Sequence, residues 1–128
     1  MKAYGALFSV PGGRPIIVAG MLGRFPIAMT PLAIVFVISV TSGSFVDAGL
    51  VSAGFTLAGA IVGPQLGRIA DRFGQLPVLL TILPLHSVAL VAFMLLTDRG
   101  LSLVALVALA SFAGMTVPAL GMYTRARW

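Results

Sequence analysis

The chain has no cysteine, no glutamate and one histidine, and its only acids are Asp47, Asp71 and Asp98. Without cysteine there is no disulfide, no thiolate metal site and no cysteine nucleophile. A lone His86 leaves no bis-histidine haem and no histidine-rich metal site within one chain. No nucleophile–base pair, metal cluster or phosphate loop stands out, so neither an enzyme nor a bound cofactor is expected. Charge of either sign is scarce, at 9% of 128 residues, against 59% hydrophobic. A water-soluble domain of this size would need far more charge to cover its surface. The mean hydropathy of +1.12 points the same way, to a lipid bilayer as solvent.

Long apolar runs are what the chain does have. They predict an all-α membrane protein with four transmembrane helices, at about 16–40, 48–66, 77–96 and 101–122, in a single domain over 1–128. No linker, low-complexity stretch or second domain interrupts them. The first run starts too late and is too long for a cleaved secretory signal, so it reads as a retained helix. It carries Arg24, Pro26 and Pro31, and the two prolines predict a bend. Thr41-Ser42-Gly43-Ser44 reads as a turn, with Asp47 near the start of the second helix, where a carboxylate is favoured. Asp98-Arg99-Gly100 reads as a second tight turn. Tyr123, Arg125, Arg127 and Trp128, just past an apolar run, read as interfacial anchors.

The net charge of +5 raises nucleic acid as a partner, but no basic face forms. The basic residues sit instead at the ends of apolar runs, where they set topology. Lys2, Arg14, Arg68, Arg72, Arg125 and Arg127 fall on one side and Arg99 on the other. The positive-inside rule then predicts a multi-pass cell-membrane protein with both termini and the Gly67–Gly74 stretch cytoplasmic.

That stretch, Gly67-Arg68-Ile69-Ala70-Asp71-Arg72-Phe73-Gly74, is the only mid-chain cluster of charge. It is expected to form a short aqueous hairpin between two apolar spans. Gly67, Asp71, Arg72 and Gly74 stand as G-x-x-x-D-R-x-G, preceded by Gly63-Pro64. The pattern resembles the loop signature between the second and third helices of the major facilitator superfamily. Gln75-Leu76 stand where the family pattern continues with basic residues. The resemblance implies a partial N-terminal half of such a transporter: one three-helix repeat and the first helix of the next, about a third of a twelve-span protein. It implies secondary active transport of a small molecule, drug-efflux-like, by alternating access and proton-coupled at full length. Asp71 would then interact with a helix N-terminus in the missing half, and Arg72 would join a cytoplasmic charge network. No basic residue lies between Leu101 and Met122, where the family's fourth helix often carries one for proton transfer.

Three further features stand out, two of them open to more than one reading. Arg24 either snorkels to the interface or faces a substrate cavity, as helix one does in the family. His86 reads as a hydrogen-bonded packing residue or as a proton relay. Gly59, Gly63 and Gly67 recur every fourth residue, and Ala110, Gly114 and Pro118 likewise, giving small-residue faces for close helix packing. The expected partners are the lipid bilayer and either the missing transporter helices or another membrane protein. The alternative to a transporter portion is a truncated, non-transporting fragment or a small four-helix membrane protein with a structural or partner-binding role.

Overall fold

In a bilayer every backbone N–H and C=O must be paired within the chain, so apolar runs of this length become helices. A computed structural model describes residues 13–118 and is helical almost throughout. The helices are α1 (Gly13–Ser42), α2 (Phe45–Phe73), α3 (Gln75–Thr97) and α4 (Leu103–Met115). The anchors expected at Tyr123 to Trp128 lie outside the described residues, as does Lys2.

Three of these helices are long and apolar enough to cross a membrane: Arg24–Ser42, Phe45–Phe73 and Gln75–Thr97. Polar residues near their ends measure out the same length. At 1.5 Å per residue, Arg24 to Ser42 spans roughly 27 Å, Asp47 to Arg68 roughly 31 Å, and Gln75 to Asp98 roughly 34 Å. The hydrocarbon core of a bilayer is about 30 Å thick. The outward surface matches: Leu32, Phe36 and Val40 of α1 are each 70% exposed, and Leu80, Val88 and Leu95 of α3 are comparably bare.

The fourth helix ends inside the expected 101–122 span, of which 119–122 lie outside the described residues. It ends at Met115, after 13 residues, or about 20 Å. The cause is local. The Thr116 hydroxyl donates back to the Ala113 carbonyl at 2.8 Å, and Thr116 N–H reaches the same carbonyl at 3.3 Å. Val117 N–H then pairs with Gly114 O, and Pro118 supplies no N–H at all.

The joints are short and each uses its glycine. Gly43 and Gly100 sit at φ +68 and Gly74 at φ +93, backbone that other residues rarely adopt. Ser44 caps α2 by accepting from Asp47 N–H at 3.2 Å, and Ser102 caps α4 by accepting from Ala105 N–H. Asp47 thus lies in the first turn of α2.

Packing centres on α2 and α4, which form the most extensive pair. α1 packs on α2, and α3 touches both α4 and α2. The core between them holds Ile34 and Ile38 of α1, Val51 and Phe55 of α2, Phe93 of α3, and Ala110 and Ala113 of α4. One cross-helix hydrogen bond ties α1 to α2: Ser52 Oγ–H donates to the Pro31 carbonyl at 3.2 Å.

Candidate functional site

The charged octapeptide is helix, not hairpin. α2 runs on through Arg68, Asp71 and Arg72 to Phe73, and only Gly74 breaks it before α3 begins at Gln75. The reason is burial on one side. Gly67 and Ala70 are buried while Arg68, Ile69, Asp71 and Arg72 are exposed, so the stretch is amphipathic at helical spacing. A helix can therefore carry the charges into water without unwinding. At Gly74 the positive φ turns the chain, and Pro77 enters the first turn of α3, where its missing N–H is not needed. The Arg72 guanidinium sits 5.7 Å from the centre of the Phe73 ring. The result is a corner with an exposed carboxylate and two exposed guanidinium groups on the last two turns of a membrane-length helix.

Arg24 is exposed on α1 and stands at the start of its apolar stretch, roughly 27 Å from Ser42 at 1.5 Å per residue.

His86 lies eleven residues from each end of α3, at mid-helix. Its Nδ1 is 3.1 Å from the Ala113 carbonyl and 3.1 Å from Thr116 Oγ1. A carbonyl only accepts, so in this contact Nδ1 carries the proton and donates it. The hydroxyl of Thr116 has already donated to Ala113, which leaves its oxygen to accept from the imidazole. His86 therefore adds a donor from the neighbouring helix at the C-terminal end of α4, to a carbonyl that the Thr116 hydroxyl and N–H already serve.

The small-residue faces divide. A Cβ on Gly114 would run into the Phe55 carbonyl, and one on Gly59 would lie 3.1 Å from the Gly114 carbonyl. These two glycines sit at the α2–α4 crossing. Gly63 does not; nothing lies within 4 Å of the place a Cβ would take. Instead it lines an open groove with Ile27, Pro31, Gly59 and Val117. The sequence reading missed Gly54, whose Cβ would meet Ser111 Oγ at 2.8 Å and Val107 at 3.2 Å. Its signal was present: Gly54 and Ala58 stand four apart, as Ala110 and Gly114 do on α4.

Compared with known proteins, the chain matches no family model, no curated protein and no solved structure.

Proposed function

We propose that this chain is the N-terminal part of a secondary active transporter of the major-facilitator type, working by alternating access. One observation carries the reading: G-x-x-x-D-R-x-G falls at the joint between two membrane-length helices, with Asp71 and Arg72 exposed. A carboxylate there is free to meet the N-terminal amides of another helix, which attract it through the helix dipole. Such a contact forms when two halves close on that side and breaks when they part, so the corner acts as a latch. The basic residues of this corner would face the cytoplasm under the positive-inside rule.

A second reading rests on the open groove at Gly63. It makes the chain a four-helix membrane protein whose uncovered small-residue surface packs against another protein.

The reading frame beyond the Trp128 codon separates the two. About eight further apolar spans support the transporter reading, since the family has twelve built from six-helix halves. A stop codon, with the chain accumulating in membranes as a defined oligomer, overturns it in favour of the second.

A further inference from the structure

α1 packs chiefly on α2 and α3 chiefly on α4, which leaves a furrow between α1 and α3. Its narrower stretch, about 150 Å³, is bordered by Ile34 and Val37 of α1 and by Leu90, Phe93 and Met94 of α3. Thr30, which also borders it, spends its hydroxyl proton on the Pro26 carbonyl. A second stretch of about 190 Å³ is bordered by Ile38, Thr41, Ser42 and Thr97, and ends at Gly100 and Leu101. The two lie in succession along the same two helices. Residues 30, 34, 37, 38 and 41 recur at helical spacing on one side of α1, and 90, 93, 94 and 97 do so on α3. The furrow is therefore one slot, apolar along its length and hydroxyl-bearing at its upper end.

The chemistry of that end is specific. Thr41, Ser42 and Thr97 each donate their proton to a backbone carbonyl one turn back, at 2.8, 2.8 and 2.7 Å. The exposed Thr41 oxygen keeps lone pairs that accept hydrogen bonds, whereas the Ser42 oxygen already accepts from Ser44 N–H at 3.2 Å and Thr97 is buried. Beside them, in the turn that leads into Gly100, stand an exposed carboxylate and an exposed guanidinium, Asp98 and Arg99. A matching ligand carries a negative group, a positive group with N–H donors, and an apolar tail. An apolar space of about 150 Å³ takes a benzene-sized guest, so the narrow stretch holds roughly six carbons of a chain.

We propose that this furrow is a phospholipid site, with one acyl chain between α1 and α3 and a phosphoethanolamine head at Asp98-Arg99. The phosphate meets the Arg99 guanidinium, and the ammonium donates to Asp98 and to the Thr41 oxygen. Phosphatidylcholine has the same charges but no N–H, and phosphatidylglycerol has no cation, so both fit less well. The site needs a bilayer around the furrow; it does not depend on transport.

The test is native mass spectrometry of the full chain, purified in detergent and mixed with phosphatidylethanolamine, phosphatidylcholine or phosphatidylglycerol of identical acyl composition. One phosphatidylethanolamine is expected to stay bound, about fivefold more than either competitor, the weight of a hydrogen bond or two. Ala33→Phe, which fills the furrow from an exposed position on its rim, is expected to remove that preference. Arg99→Gln is expected to lower retention about fivefold, and it lies on an exposed turn, so it tests the site even where Ala33→Phe fails to fold. Ala53→Phe, exposed on α2 outside the furrow, is expected to leave retention unchanged. Equal retention of all three lipids, or retention indifferent to Ala33→Phe and Arg99→Gln, means annular lipid only and overturns the proposal. So does a dimer that holds no lipid and dissociates on Ala33→Phe, which would make the furrow an interface between copies.

Discussion

Gly114 has no room for a side chain. Its α-carbon lies against the Phe55 backbone, 2.8 Å separating the place of a Cβ from the carbonyl carbon. Backbone cannot swing aside as a flexible side chain would, so Gly114→Ala must push α2 and α4 apart. Overpacking of this kind costs about 1–3 kcal/mol. Gly63→Ala meets nothing within 4 Å and replaces a poor helix former, so it is expected to be neutral or stabilising by up to about 1 kcal/mol. Thermal unfolding of the detergent-solubilised chain checks both; equal effects would contradict the packing described. His86→Ala removes the hydrogen bond that joins α3 to the end of α4 and is expected to cost about 1 kcal/mol, typical of a hydrogen bond between membrane helices. The same melts measure it, with Ser87→Ala, whose hydroxyl serves only its own helix, as the reference. The glycines show what a sequence can and cannot say here. Four-residue spacing singles out Gly59, Gly63 and Gly114 alike. Only the crossing point decides which of them touch another backbone, and that depends on all four helices at once.

At the scale of the helix, the runs themselves were legible, because a long uncharged stretch admits one solution in lipid. Their ends were less so. The octapeptide from Gly67 to Gly74 reads as a turn when its charges are counted, since Arg68, Asp71 and Arg72 crowd into five residues. It forms a helix because Gly67 and Ala70 supply a buried side three residues apart, which the exposed charges obscure. The last helix failed in the opposite direction: its apolar run continues, but a threonine that bonds back and a proline two residues later stop it. Gly74 is the one residue on which the α2–α3 corner turns. At φ +93 and ψ 147 an alanine is strained by roughly 1–3 kcal/mol, whatever space surrounds it. Gly74→Ala is expected to lower the unfolding temperature, whereas Gln75→Ala, in ordinary helix, is not. Indistinguishable melts would mean that the corner does not need its glycine.

For the molecule as a whole, three helices share one ruler. Arg24, Asp47, Arg68, Gln75 and Asp98 mark off uncharged lengths close to the thickness of a hydrocarbon layer, and side chains between them are bare and apolar. The absence of cysteine makes this arrangement easy to probe, because any introduced thiol is the only one. Gln75→Cys marks the corner beyond Gly74, and Asp98→Cys marks the opposite end of α3. The decisive measurement is labelling of each variant with a membrane-impermeant maleimide, in intact cells and after permeabilisation. Position 98 is expected to label in intact cells and position 75 only after the membrane is opened. Equal labelling of both in intact cells, or recovery of the chain in the soluble fraction without detergent, would contradict a bilayer-spanning chain with its charged corner inside.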